Sequence, residues 1–97
     1  MTRKTTVYSK PSCGQCNMTK IELNKKGVEF DEINALAPGN EELAESIRDR
    51  AVEKGIQGSF PYVTVYDETN ELIADWFGFI PDNINAYAAV RDEEEAA

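Results

Sequence analysis

The alternation of apolar and polar positions predicts four short strands. Thr5–Tyr8 is rich in β-branched and aromatic residues, which favour a strand. Val28–Ile33 alternates apolar and acidic residues with a period of two, which is typical of a strand with two different faces. Tyr62–Tyr66 and Leu72–Phe77 are separated by the turn residues 67–70. This last pair predicts a β-hairpin.

Three segments between and after these strands predict helices. Ser12–Lys26 contains mostly good helix formers and is followed by Gly27, a plausible terminator. Its predicted inner face consists of Cys16, Thr19, Lys20 and Leu23, with Met18 and Ile21 beside it. Asn40 can cap a second helix, which has acids in its first turn and ends at Lys54 and Gly55. Pro81 opens a last helix, whose predicted buried stripe is Ile84, Tyr87, Ala88 and Val90.

The order of elements is therefore β, α, β, α, β, β, α. The two early strand–helix–strand units require a parallel strand pair with a right-handed crossover. The predicted fold is α/β, with a mixed four-stranded sheet flanked by helices. We expect one domain over residues 1–91 and a solvated acidic tail over residues 92–97.

Composition limits the possible functions. The chain has 97 residues, 41% of them hydrophobic and 29% charged, as expected for one small globular domain. Its net charge of -8 opposes attraction to nucleic acid. No segment approaches the apolar length of a membrane span, and the first residues do not resemble a signal peptide, so we expect a cytoplasmic protein. The chain has no histidine, which excludes imidazole bases and histidine-bound zinc.

The basic residues are concentrated at the start of the chain. Residues 1–27 contain six basic residues and one acidic residue, although the chain as a whole is acidic. The helix lysines either solvate an outer face or create a positive field around a site in this segment.

Both cysteines lie in the motif Cys13-Gly14-Gln15-Cys16, directly after a predicted strand and at the first turn of a predicted helix. Free backbone N–H groups and the helix dipole stabilise a thiolate at Cys13, and Lys10 adds positive charge, so we expect its pKa to lie below that of a free thiol. Cys13 is the predicted nucleophile. Cys16 is less than one turn away and is the predicted resolving thiol, which attacks a mixed disulfide on Cys13.

Two other uses of the cysteine pair are weaker. A purely structural disulfide with two intervening residues removes little chain entropy and is unfavourable in a reducing cytosol. A zinc site needs four ligands, and the chain has neither a second cysteine pair nor a histidine. A metal cluster would have to be bridged between two chains, and we expect no metal.

Three blocks of sequence, taken together, resemble the glutaredoxin-like thiol redoxins and most of all their NrdH-redoxin subgroup. They are Val7-Tyr8-Ser9-Lys10-Pro11-Ser12-Cys13-Gly14-Gln15-Cys16, Phe60-Pro61-Tyr62-Val63 and Trp76-Phe77-Gly78-Phe79-Ile80-Pro81-Asp82. The resemblance covers residues 4–90 and implies a thioredoxin fold. It also implies a cis Phe60–Pro61 bond facing the cysteines, which the residues alone do not predict.

The resemblance further implies an electron donor to protein disulfides, typically those of ribonucleotide reductase. The donor would be a monomer with no bound cofactor, and a separate NADPH-dependent thioredoxin reductase would restore it. The residues expected to contact substrate or partner are Lys10, Ser12, Gly14, Gln15, Phe60, Pro61, Trp76, Gly78 and Phe79. For the aromatic residues of the last block, core packing is the alternative.

Two other functions remain open. One is a glutathione-dependent glutaredoxin in which Lys10, Gln15 and the Phe60–Pro61 backbone hold the tripeptide. The other is a non-enzymatic carrier in which Cys13 of two chains binds an iron–sulfur cluster.

Overall fold

The computed structural model describes residues 3–89 and has the predicted order of elements. These are β1 (Lys4–Ser9), α1 (Gly14–Lys25), β2 (Phe30–Asn34), α2 (Glu41–Glu53), β3 (Tyr62–Tyr66), β4 (Leu72–Phe77) and α3, which begins as one α-helical turn (Pro81–Asn83) and continues as a π-helical segment (Ile84–Ala88). The acidic tail 92–97 and Val90 lie outside the described residues. In the part that is described, no helix is long and apolar enough to cross a membrane.

The four strands form one mixed sheet with the order β2-β1-β3-β4. The pair β1–β2 is parallel, and β1–β3 and β3–β4 are antiparallel. Helix α1 makes the crossover between the two parallel strands, as the strand–helix–strand pattern predicts. The mixed sheet is therefore confirmed.

Strands β1, β3 and β4 send alternate side chains to two separate cores. On one face, Val7, Val63, Val65 and Trp76 pack with Leu23 of α1 and with Ile84 and Ala88 of α3. On the other face, Tyr8, Tyr62 and Phe77 pack with Ala35, Leu43, Ile47 and Phe60. Helices α1 and α3 therefore cover one face of the sheet, and α2 covers the other.

The second strand begins two residues later than predicted. The backbone N–H of Val28 donates to the carbonyl of Leu23 at 2.9 Å, and Gly27 adopts a left-handed φ of 72°. These features close the C-terminus of α1. The N–H of Val28 is therefore bound to the end of α1, and pairing of β2 with β1 starts at Phe30, opposite Thr5.

The predicted start of α2 at Asn40 is confirmed, but the structure differs from two details of the predicted helices. Asn40 is the N-cap residue of α2, but its side chain makes no capping hydrogen bond and instead donates to the carbonyl of Asn34 at 2.9 Å. Tyr87 is 39% exposed instead of buried. The wider π-helical turn keeps Ile84 and Ala88 on the core side and rotates Tyr87 outward.

Helix α1 buries Cys16, Thr19 and Leu23, as predicted. Met18 and Ile21, expected beside that face, are exposed. The inner face of α1 is therefore narrow and begins at the cysteine motif.

Candidate functional site

The cysteine motif lies at the start of α1, where the chain turns after β1. Ser12 adopts a left-handed φ of 56°, and Cys13 follows in an extended conformation as the N-cap residue of α1. Cys13 and Cys16 form a disulfide, with their Cα atoms 5.2 Å apart. The turn at Ser12 thus places the first cysteine at the positive end of the helix dipole.

The two cysteines, Cys13 and Cys16, have different surroundings. Cys13 is 8% exposed and Cys16 is 2% exposed. The backbone N–H of Cys16 donates to Sγ of Cys13 at 3.1 Å. This donor would stabilise negative charge on Sγ of Cys13 once the disulfide is reduced.

The segment that precedes β3 lies across a surface depression from the cysteine motif. The Phe60–Pro61 peptide bond is cis, as the resemblance implies. The depression has a volume of about 590 Å³. Its lining combines both segments and consists of Lys10, Ser12, Cys13, Gly14, Gln15, Leu36, Gly58, Ser59 and Phe60. Most of the predicted contact residues are therefore gathered around Cys13.

Gly78 and Phe79 reach the same site from β4. The N–H of Gly78 donates to the carbonyl of Pro61 at 2.7 Å, and the N–H of Phe79 donates to Oε1 of Gln15 at 3.0 Å. Gly78 has a φ of 93°, and a Cβ atom there would lie 3.2 Å from Oε1 of Gln15. The left-handed φ therefore favours glycine at position 78, and a larger residue would also displace the amide of Gln15 by a few tenths of an ångström.

Trp76 does not belong to the surface on which it was expected. Its side chain is 3% exposed and packs in the core formed by α1, α3 and the sheet. The alternation of β4 explains this correction, because Trp76 and Phe77 face opposite sides of the sheet. Core packing is the correct interpretation for Trp76.

Most of the positive charge in residues 1–27 is not directed at the site. Nζ of Lys20 donates to Oε2 of Glu32 at 2.9 Å, and Lys26 pairs with Glu22. The hydrogen bond from Lys20 lowers the pKa of Glu32. Lys10 is exposed and, among residues 3–89, makes no ion pair. Lys10 is the one basic residue that lines the depression beside Cys13, and it adds to the positive end of the α1 dipole there.

A second, smaller pocket adjoins the depression and was not predicted from the sequence. It has a volume of about 180 Å³ and is lined by Leu36, Ala44, Ile47, Arg48, Gly58, Ser59, Phe60 and Phe77. The hydrophobic periodicity of one helix cannot predict this pocket, because its walls come from α2, β4 and two loops. Within residues 3–89, no group of three or more Cys, Asp or Glu side chains is placed to hold a metal ion.

A second missed group is centred on Asp75 of β4. Asp75 accepts hydrogen bonds from Arg50, Lys54 and Tyr62, and its side chain is 5% exposed. The signal in the sequence was a single acidic residue inside the apolar strand Leu72–Phe77, since a buried carboxylate requires partners.

Comparison with solved structures supports the fold and the family. The NrdH-redoxin from Escherichia coli, described as a glutaredoxin-like protein with a thioredoxin-like activity profile, is 26% identical. The match covers 86% of this chain and 92% of that chain, with a TM-score of 0.58. Oxidised mitochondrial thioredoxin 3 from Saccharomyces cerevisiae is 18% identical, over 87% of this chain and 74% of that chain, with a TM-score of 0.53. The second likeness concerns the fold alone, which is thioredoxin-like.

No curated protein sequence gives a match. The family model for glutaredoxin matches residues 5–69, a range that includes Cys13, Cys16 and Pro61. The motif, the cis proline that faces it and the sheet order agree with this match. The chain therefore belongs to the glutaredoxin family.

Proposed function

We propose that this protein is a dithiol reductase of protein disulfides, with Cys13 as the nucleophile and Cys16 as the resolving thiol. The unequal surroundings of the two cysteines carry the proposal. Cys13 is the more exposed, and it receives the backbone N–H of Cys16 at the start of α1. A thiolate at Cys13 is therefore stabilised, and it faces the surface depression that Cys13 lines and Cys16 does not.

The reaction consists of two thiol–disulfide exchanges. The thiolate of Cys13 attacks one sulfur of the target disulfide, forms a mixed disulfide and releases the other target sulfur as a thiolate. Cys16 loses its proton and attacks Sγ of Cys13, which releases the second target thiolate. Two electrons pass from the dithiol to the target, and the Cys13–Cys16 disulfide remains.

The proposed electron source is NADPH, delivered by a separate thioredoxin reductase, so that the redoxin itself binds no cofactor. The thioredoxin-like activity profile described for the Escherichia coli NrdH-redoxin supports this choice over glutathione. The proposed target is a disulfide of ribonucleotide reductase, and the proposed setting is the cytoplasm. We propose that the protein acts as a monomer, without nucleic acid or membrane.

The test compares two recycling systems while NADPH oxidation is measured with a protein disulfide as substrate. One contains thioredoxin reductase, and the other contains glutathione with glutathione reductase. Turnover with thioredoxin reductase alone supports the proposal. Turnover with glutathione alone identifies a glutathione-dependent glutaredoxin, in which Lys10 and Gln15 would contact the tripeptide. Turnover with neither, together with visible absorbance in the purified protein, would identify a cluster carrier.

A further inference from the structure

The depression at Cys13 and the pocket beside α2 form one continuous groove. They share four lining residues, namely Leu36, Gly58, Ser59 and Phe60. We call the two together the substrate groove. An extended chain whose cysteine reaches Cys13 at one end can therefore place a neighbouring side chain in the pocket at the other end.

The charged residues of the substrate groove have one sign. Among its lining residues only Lys10 and Arg48 are charged, although the chain carries 18 acidic and 10 basic residues. The net negative charge of the whole protein repels a negatively charged ligand. The two basic residues of the groove oppose this repulsion locally and favour the binding of such a ligand.

Arg48 has no structural partner in the described part of the chain. It is exposed, and no ion pair or side-chain hydrogen bond within residues 3–89 involves it. Arg50, two residues further along α2, differs in this respect because it is bound to Asp75 through Nε and Nη2. The guanidinium of Arg48 is thus free to bind a ligand at the rim of the groove.

The pocket next to Arg48 is apolar. Ala44, Ile47 and Phe77 line it together with Leu36, which is 50% exposed. Its volume of about 180 Å³ is of the size of one aliphatic or aromatic side chain. A Cβ atom on Gly58 would lie 3.0 Å from Cβ of Ala51 and 3.6 Å from Phe77, so the wall of the pocket is already closely packed.

We propose that the substrate groove recognises an extended segment of a protein substrate that carries an acidic residue and an apolar residue beside its disulfide. Arg48, assisted by Lys10, binds the acidic residue, and the pocket formed with Leu36, Ile47 and Phe77 holds the apolar one. This inference rests on the proposed disulfide reductase activity and specifies its substrate class.

The test uses synthetic peptides with one internal disulfide and the same length. In one peptide a glutamate and a leucine flank the cysteines, in the second glutamine replaces the glutamate, and in the third serine replaces the leucine. The reduced protein is mixed with each peptide in a single turnover, and the second-order rate constant of disulfide exchange is divided by the value for hydroxyethyl disulfide. We expect a preference of about tenfold for the acidic peptide over the glutamine peptide, decreasing as salt is added.

The variants are Arg48→Glu, Arg48→Gln and Leu36→Ser, all at exposed positions. Arg48→Glu should abolish or reverse the preference for the acidic peptide, and Arg48→Gln should reduce it. Leu36→Ser should reduce the preference for leucine over serine. The matched control is Lys25→Glu, which makes the same charge change in the last turn of α1, at the opposite end from the cysteines. It should retain both preferences.

Equal rates for the acidic and glutamine peptides in the wild type would overturn the inference. So would an Arg48→Glu variant that keeps the wild-type preference. Glutathione disulfide is measured as a further substrate, and an Arg48→Glu variant that is slowed with this substrate alone would assign Arg48 to glutathione and also overturn the inference. If the wild type reduces neither the peptides nor hydroxyethyl disulfide, the proposed reductase function fails instead, and this inference fails with it.

Discussion

The hydroxyl of Tyr62 donates a hydrogen bond of 2.6 Å to Oδ2 of Asp75, and so joins the strand that follows the cis Phe60–Pro61 bond to β4. Asp75 also accepts from Arg50 and Lys54, which extend to it from α2. Burial alone would raise the pKa of Asp75, but these three donors hold it well below its usual range. Burial and the hydrogen bond to Asp75 also raise the pKa of Tyr62.

The first prediction concerns the stability that Asp75 provides. Asp75→Asn should lower the free energy of unfolding at pH 7 by about 2 to 4 kcal/mol, because Arg50 and Lys54 lose their ion pairs with a buried carboxylate. The pKa of Asp75 is lower in the folded than in the unfolded chain. Its contribution is therefore complete above the unfolded-state pKa of about 3.9 and is lost as the pH falls towards the folded-state pKa.

Urea unfolding of the wild type and of Asp75→Asn between neutral and acid pH measures this effect. The difference between the two proteins should be constant near neutrality and shrink below about pH 4. Asp49→Asn, at an exposed position of α2, should change stability by less than about 0.5 kcal/mol. A wild type to Asp75→Asn difference that grows as the pH falls would contradict the expected sign.

The second prediction separates the roles of the two cysteines. Cys13→Ser should abolish reduction of protein disulfides, because the nucleophile is lost. Cys16→Ser should instead accumulate a mixed disulfide between Cys13 and the target, since no resolving thiol is present. Mass spectrometry of the trapped species identifies the cysteine involved. Trapping through Cys16 in the Cys13→Ser variant would reverse the assignment.

The third prediction concerns the acidity of reduced Cys13. The N–H of Cys16 and the first turn of α1 should lower the pKa of this thiol below the free-thiol value of about 8.5. Thiolate absorbance of the reduced Cys16→Ser variant, followed during a pH titration, measures Cys13 alone. A midpoint at the free-thiol value would show that the helix start does not activate it.

The fourth prediction isolates the contact between Gly78 and Gln15. Gly78→Ala should destabilise the protein by about 1 kcal/mol or more through its left-handed φ, with a further loss from the contact with Oε1 of Gln15. Gly27→Ala is the matched control, since Gly27 also has a positive φ but has no atom within 4 Å of the added Cβ.

Thermal or urea unfolding of these variants gives the comparison. The excess loss in Gly78→Ala over Gly27→Ala should disappear when Gln15 is also replaced by alanine. An excess that survives this replacement would locate the strain elsewhere.

The fifth prediction uses the single tryptophan of the chain. Trp76 is buried beside Tyr87, with ring centroids 6.4 Å apart, so its fluorescence should be blue-shifted and resist quenching by acrylamide. Trp76→Ala should cost about 3 to 5 kcal/mol of stability, as expected for a buried aromatic residue. Quenching as strong as that of free tryptophan would show that Trp76 is exposed, which would contradict its placement in the core.

Local patterns were sufficient for the elements but not for the contacts between them. Two strand-like segments separated by the turn residues 67–70 predicted the hairpin of β3 and β4. The start of β2 was misplaced because the N–H of Val28 is used by the end of α1. The residues at the helix start predicted the environment of Cys13. The resemblance, and not the residues, predicted the cis bond at Pro61.

Two features of the site depend on tertiary packing alone. The pocket beside Arg48 exists because α2 and β4 meet there, and nothing near Arg48 in the sequence distinguishes it from Arg50. The placement of Trp76 depended on which face of the sheet each residue of β4 takes, and the sequence left both interpretations open.

The hydrogen bond between Phe79 and Gln15 joins positions 64 residues apart and makes the dipeptide between the cysteines part of a larger unit. Replacing this dipeptide to tune the redox potential would also remove the side-chain acceptor of the Phe79 N–H, and the loop after β4 would then be held by the Gly78–Pro61 hydrogen bond. The dipeptide and the Gly78–Phe79 loop should therefore be exchanged together, as one cassette, when such redoxins are engineered.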